Sequence, residues 1–161
     1  SLNLLTIKPI IYALNSDDTE APSDFNWDGE IIRINVKMEE EIAQLPEEEQ
    51  AEYLQELGVS KSGLDKLIYS SYKLMGLETF FTTGKDETRA WTIKKGSKAP
   101  QAAGEIHTDF EKGFIRAEVI NWEKFIEAGS EARAKELGWI KTEGKDYVVS
   151  DGDICNFLIG K

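Results

Sequence analysis

Asn15-Ser16-Asp17-Asp18 places a side-chain amide and a carboxylate directly after Lys8 to Leu14, a short apolar run rich in β-branched residues. Open α/β sheets hold their ligands just beyond the carboxyl ends of the strands, so an Asn-x-x-Asp at such a place could hydrogen-bond a ligand. The same four residues also suit a plain turn, because Asn, Ser and Asp side chains bond their own backbone. A second group lies further along: Arg89, Lys94, Lys95, Lys98, Lys112 and Arg116, with Trp91 and Phe114 among them. RNA binding uses this mixture, cations for phosphates and aromatics for stacking. The competing reading sends the aromatics into the core and leaves the lysines as ordinary surface.

Other chemistry is poorly supplied. His107 is the only histidine, and a lone His without a second His or a Cys nearby makes neither a metal set nor a nucleophile–base pair. A helix-end hydrogen bond or a partner contact is expected of it, and no metal. Cys155 is the only cysteine, set between Ile154 and Phe157, and reads as a buried, inert thiol. Nowhere does Gly-x-x-x-x-Gly-Lys-[Ser/Thr] occur, the loop whose amides and lysine hold nucleotide phosphates. No strand ends in the Asp-x-x-Gly expected beside a γ-phosphate.

The elements that must position these groups divide the chain in two. A length of 161 residues holds one ordinary domain or two small ones. The net charge of −11 argues against a generic polyanion binder, yet residues 1–76 carry −9 of it and residues 77–161 only −2. The second half could therefore present a locally basic face. No apolar run approaches the ~20 residues that span a bilayer, and Ser1-Leu2-Asn3-Leu4 lacks the pattern of a signal peptide, so a cytoplasmic protein is expected.

Within the first half, Lys8 to Leu14 reads as a fully buried strand of a parallel sheet, and Thr19 to Glu30 as a loop. Glu30 to Val36 reads as a second strand, and Met38 to Leu45 as helical. Pro46-Glu47-Glu48-Glu49 opens another helix that Gly58 stops, with Tyr53, Leu54 and Leu57 as its apolar stripe. The acidic residues from Glu39 to Glu49 are most simply a solvated helix surface. Ser62-Gly63-Leu64-Asp65 resembles a capping box for a helix to Met75, with Leu64, Leu67, Ile68, Tyr72 and Met75 expected to face inward. From Glu78 the period changes. Strands are expected at Thr79 to Thr83, Thr88 to Lys94, Gly113 to Ile120, Tyr147 to Val149 and Ile154 to Ile159. Helices are expected at Ala99 to His107 and across Trp122 to Gly138. This order indicates a small α+β sheet domain.

The residues themselves carry a resemblance. Arg89-Ala90-Trp91-Thr92-Ile93, Ala99-Pro100-Gln101-Ala102-Ala103-Gly104 and Ile106 to Ala117 resemble the TGS domain of the YchF family of Obg-like ATPases, of the TRAFAC P-loop GTPase class. Glu143 to Val149 and Asp151-Gly152-Asp153 continue the match, and Leu4 to Tyr12, Leu57-Gly58 and Leu64 to Leu77 extend it upstream. It implies an α+β chain: a β-grasp (ubiquitin-like) TGS domain at 77–161, preceded at 1–76 by the C-terminal remnant of a P-loop nucleotide-binding domain.

The resemblance also implies roles. Asn15 and Asp18 would be a vestigial nucleotide base site, with Asn35 and Val36 from the family's second base-contacting loop. The family typically has Asn-x-x-Glu and is associated with ATP, whereas Asp18 is the guanine-reading residue type. The usual small Ser/Cys-Ala pair is replaced by the bulkier Asn35 and Val36. ATP or GTP with Mg would serve the intact family protein, and no cofactor or hydrolysis is expected of this chain alone. Arg89, Lys94, Lys95, Lys98, His107, Lys112 and Arg116 become candidates for contact with the ribosome, RNA or a protein partner. Neither a membrane nor DNA is expected. The alternative is a stand-alone β-grasp protein-interaction module without nucleotide function.

Overall fold

The computed structural model describes residues 4–17, 29–84 and 87–160, so Asp18, most of the expected loop Thr19 to Glu30, and the turn residues Lys85 and Asp86 lie outside the described residues. The chain forms two compact units, Ser1–Met75 and Gly76–Lys161.

In the first unit a single 3-10 turn, Leu5–Ile7, precedes strand β1 (Ile11–Asn15). Strand β2 (Glu30–Ile34) pairs with it in parallel, from Ile11↔Glu30 to Asn15↔Ile34. Three helices follow: α1 (Val36–Gln44), α2 (Glu47–Glu56) and α3 (Gly63–Met75). Pro46 caps α2 and three glutamates fill its first turn, where the helix dipole favours anions. Tyr53 and Leu54 of its expected stripe are half-buried, while Leu57 stays 47% exposed. Gly58, at φ +70°, takes the left-handed conformation that ends the helix. The capping box at α3 forms: Ser62 Oγ accepts from Asp65 N–H (3.0 Å) and Asp65 Oδ2 accepts from Ser62 N–H (3.3 Å).

Two expectations fail here. β1 is parallel-paired but not fully buried; Ala13 and Asn15 are exposed and neighbouring Ile10 is 51% exposed. Among the described residues β1 has β2 alone as a ladder partner, so its other edge has no strand to cover it. On α3, Leu64, Ile68 and Met75 point outward, at 53%, 50% and 58% exposure, while Leu67 and Tyr72 are half-buried. The buried positions are Gly63 and Ser70. A side chain at Gly63 would come within 3.1 Å of Ile34 Cα, so the helix start lies tight against β2. Ser70 Oγ donates to Glu30 Oε1 (2.8 Å), which holds the same small face against the sheet.

The second unit is a five-stranded sheet in the order β4-β3-β7-β5-β6. Its strands are β3 (Leu77–Thr83), β4 (Thr88–Lys94), β5 (Phe114–Asn121), β6 (Lys141–Glu143) and β7 (Asp153–Ile159). β3 and β4 make an unbroken antiparallel hairpin, and β7 runs parallel to β3 and antiparallel to β5. Helix α4 (Ala99–Ile106) has Pro100 in its first turn, and Gln101 Oε1 accepts from Lys98 N–H (2.8 Å). Short helices α5 (Thr108–Gly113), α6 (Trp122–Ala128) and α7 (Glu131–Glu136) fill the connections.

Phe80, Ile93, Phe114, Ala117, Val119, Val149 and Cys155 form the core with the alanines Ala99, Ala102 and Ala103 of α4. Small residues on α4 let the helix sit close to the strands, and ring contacts from Phe157 to Phe80 (5.8 Å) and to Phe114 (6.1 Å) fill the space beneath.

Tyr147 to Val149 is not a strand but a single antiparallel bridge, Lys98↔Val148. Ala99 N–H donates to Tyr147 O (2.8 Å) and Val149 N–H to Ser97 O (3.0 Å). The chain on the other side enters α4 at Ala99, so the ladder cannot lengthen. The strand that pairs with β5 is instead Lys141–Glu143, opposite Ala117 to Val119.

Candidate functional site

Asn15 and Asn35 follow the same logic: each stands where a strand of the parallel pair runs out at its carboxyl end. Ser16 N–H donates to Ile34 O (3.2 Å), which holds the two exits side by side. Asn15 Oδ1 accepts from Val36 N–H (3.3 Å), and Asn35 Oδ1 caps α1 by accepting from Met38 N–H (3.0 Å). Three of the four expected base-site residues, Asn15, Asn35 and Val36, therefore meet, and the fourth, Asp18, is outside the described residues. Val36 is 55% exposed and presents the bulkier isopropyl group that the sequence indicated. What Asn15, Asn35 and Val36 offer at this edge is polar contact and shape. Among the described residues no group of three His, Cys, Asp or Glu side chains could hold a metal, and no helix is long and apolar enough to cross a membrane.

Glu39 departs from the solvated helix surface expected for the acidic residues 39–49, because it is half-buried. Its Oε1 accepts from Gly63 N–H at 2.6 Å, placing a carboxylate on the N-terminus of α3. The partners are 24 residues apart, and no local pattern announces such a bond.

The basic candidates are distributed rather than gathered. Strand side chains alternate between faces, so Arg89 shares the core-side face with Trp91 and Ile93, while Lys94 and, across the sheet, Arg116 lie on the other. The Arg89 guanidinium sits 4.2 Å from the Trp91 ring centroid, and Trp91 Nε1–H donates to Thr82 Oγ1 (2.9 Å). Lys95 is 3.6 Å from Glu78, and Lys98 bonds Asp146 at 2.7 Å. That bond, and then the lysine charge, hold the Asp146 carboxyl below its ordinary value. Lys112 is exposed in the last turn of α5. His107 caps the same helix, its Nδ1 accepting from Asp109 N–H (3.2 Å), which is a helix-end role. Phe114 is only 3% exposed and belongs to the core, so it offers no face to a base. Cys155 is buried, and that burial, followed by the charge of Asp153, pushes its thiol up to about 12.

Residues 77–160 match the family model YchF-GTPase_C, described as "Protein of unknown function (DUF933)". The chain is 49% identical to the ribosome-binding ATPase YchF of Bacillus subtilis (strain 168), an alignment covering 97% of this chain and 46% of that protein. It is 44% identical to Obg-like ATPase 1 of Caenorhabditis elegans, covering 95% of this chain and 42% of that one. The chain thus spans a little under half the length of these curated relatives. Among solved structures, the YchF GTPase of Schizosaccharomyces pombe superposes with a TM-score of 0.71 at 40% identity, covering 81% of this chain and 34% of that one.

Proposed function

The chain belongs to the YchF family of Obg-like ATPases, and on that premise we propose that it supplies the base-contacting edge and the docking domain of a nucleotide-dependent, ribosome-associated protein. Gly76–Lys161 is a β-grasp TGS domain in this reading, and the sheet order, with its first and last strands parallel and adjacent, supports it. Ser1–Met75 is the closing part of a P-loop nucleotide domain, supported by two parallel strands whose carboxyl-end loops adjoin. The hydrogen bond from Val36 to Asn15 carries the nucleotide half of the proposal, because it brings the two expected base-contacting loops together.

Hydrolysis is not expected of this chain alone. Phosphoryl transfer depends on positioned donors and Mg²⁺ around the phosphates, and no phosphate loop is present in the sequence. ATP or GTP with Mg would be bound by the intact protein. Asp18 favours guanine, and the family association favours adenine.

A titration of the chain with ribosomes and with ribosomal RNA at two salt concentrations tests the docking half, with ATP and GTP as parallel ligands. Salt-sensitive ribosome or RNA binding without nucleotide binding is the expected result. Absence of ribosome and RNA binding would overturn the docking reading, and tight nucleotide binding would overturn the account of the missing phosphate loop.

A second reading, a β-grasp protein-interaction module without nucleotide function, has an observation of its own. Phe114 is buried, and Lys95 and Lys98 already engage carboxylates, which reduces the surface suited to RNA.

A further inference from the structure

β4 closes the sheet on one side, and among the described residues no strand lies beyond it. Its hydrogen-bond parity is fixed at both ends of the hairpin. Gly84 N–H donates to Glu87 O (2.9 Å), and Lys95 N–H donates to Gly76 O (2.7 Å). Both bonds continue the register Thr83↔Thr88 to Leu77↔Lys94, so the odd-numbered residues of β4 turn their peptide groups toward β3. Antiparallel alternation then directs the N–H and C=O groups of Thr88 and Ala90, and those of Lys94, to the open side. Lys94 agrees with this parity, since its carbonyl accepts from Ser97 N–H (3.0 Å).

This edge lacks the protections of length and shape, although its two cations are charges of the kind that guard an edge. An exposed edge strand is normally kept short, bulged or interrupted by proline. β4 has seven residues, no proline, and seven consecutive pairs with β3 without a register shift. Its charges are one-signed within the strand: Arg89 near one end and Lys94 at the other, roughly 17 Å apart along the chain. Neither makes an ion pair to a carboxylate among the described residues. Between them Trp91 is half-buried, with the Arg89 guanidinium stacked on its ring.

We propose that the outer edge of β4 receives an extended acidic segment of a protein partner as an added strand. The peptide groups of Thr88 and Ala90 continue the ladder, Trp91 takes an apolar side chain of the segment, and Arg89 and Lys94 meet its carboxylates. A peptide backbone matches a row of alternating N–H and C=O groups, and RNA does not. The net charge of −11 further disfavours a polyanion, whereas the local cations suit a short acidic segment. The inference is independent of the nucleotide reading of the first unit.

The test titrates the full chain with a short fluorescein-labelled peptide, Glu-Thr-Val-Thr-Val-Glu, whose two glutamates fall on opposite faces of an added strand as Arg89 and Lys94 do, and in parallel with a labelled oligouridylate. Ala90→Pro removes an outward N–H and no bond to β3, a substitution that an edge strand tolerates. It is expected to weaken the peptide by about tenfold or more, with the thermal midpoint little changed. Arg89→Ala with Lys94→Ala is expected to weaken it similarly and flatten its salt dependence. In the unsubstituted chain, saturating peptide should slow amide exchange at Thr88 and Ala90, a reading that does not depend on any variant folding. Unchanged exchange at those two amides would overturn the proposal, as would oligouridylate binding without peptide binding. Peptide affinity that is lost with the charges but indifferent to Ala90→Pro would overturn it too.

Discussion

The phenol of Tyr147 donates a 2.6 Å hydrogen bond to Oδ2 of Asp153, the same oxygen that accepts from Ser150 N–H at 2.9 Å. Asp153 is only 5% exposed and opens β7, so these two bonds tie the residues on either side of the Lys98↔Val148 bridge to a strand inside the sheet. Burial, followed by the bond to Asp153, raises the pKa of Tyr147 well above its ordinary value. Tyr147→Phe should therefore destabilise the second unit by ~1–3 kcal/mol, because a buried carboxylate loses a donor. Urea denaturation followed by tryptophan fluorescence measures it, and equal midpoints would mean the bond adds nothing.

Gly113 is required by contact. A Cβ there would stand 2.6 Å from Ile159 Cγ2 and 2.9 Å from Gly160 O, where α5 passes into β5 beside the end of β7. Gly113→Ala should cost ~1–3 kcal/mol through forced displacement of backbone. Gly144→Ala is the matched control, with nothing within 4 Å of the place its Cβ would take and no positive φ. Thermal melts of the two variants should separate clearly, and coincident melts would contradict the contact argument.

Cys155 should resist thiol reagents at pH 8 in the folded chain and react promptly in denaturant. Its thiol is raised from 9.0 to about 12 by burial first and by the Asp153 charge second. The unfolded state therefore releases its proton earlier as pH rises, and stability falls between about pH 9 and pH 12. The slope is on the order of 1.4 kcal/mol per pH unit at most. Cys155→Ala should flatten that decline in alkaline urea melts. A slope identical to that of the unsubstituted chain would assign the decline to other groups.

Glu39→Ala should loosen the first turn of α3 without touching the second unit. The lost bond is the 2.6 Å contact to Gly63 N–H, and a helix cap is worth ~1 kcal/mol. Amide exchange at Gly63 should quicken about fivefold, with rates in β3 to β7 unchanged. No change at Gly63 would show that the Ser62–Asp65 capping box suffices alone.

Much of the second unit was legible because its signals are local. The β3–β4 hairpin follows from two β-rich runs and a turn, and α4 from Pro100 followed by small and apolar residues. β6 is three residues long and polar, so no period could mark it; only its partner β5 makes it a strand. Phe114 illustrates the limit for the site. An aromatic among cations reads as a stacking platform until the sheet turns it inward. On α3 the spacing of Leu64, Ile68 and Met75 revealed an apolar stripe but not which face the sheet would take; the smaller Gly63–Ser70 face was preferred, since it permits close approach. Where β1 and β2 end, the resemblance supplied Asn15, Asn35 and Val36 as a group, and no spacing rule could have joined residues 21 apart.

The central place of β7 has a consequence for the order of events during synthesis. β3 begins the second unit, yet its inner neighbour is the unit's last strand, joined through Phe81↔Ile154. Gly152 N–H to Thr79 O (2.8 Å) and Thr79 N–H to Asp151 Oδ1 (2.7 Å) lock the same junction. A nascent chain can form the β3–β4 hairpin and α4 early, but it holds an open sheet edge until residues 153–159 have been made. Closure across some 70 residues costs chain entropy that only the completed sheet repays. The emerging polypeptide therefore passes through a stage in which β3 is available for mispairing, and a premature stop ahead of Asp153 would leave that stage permanent.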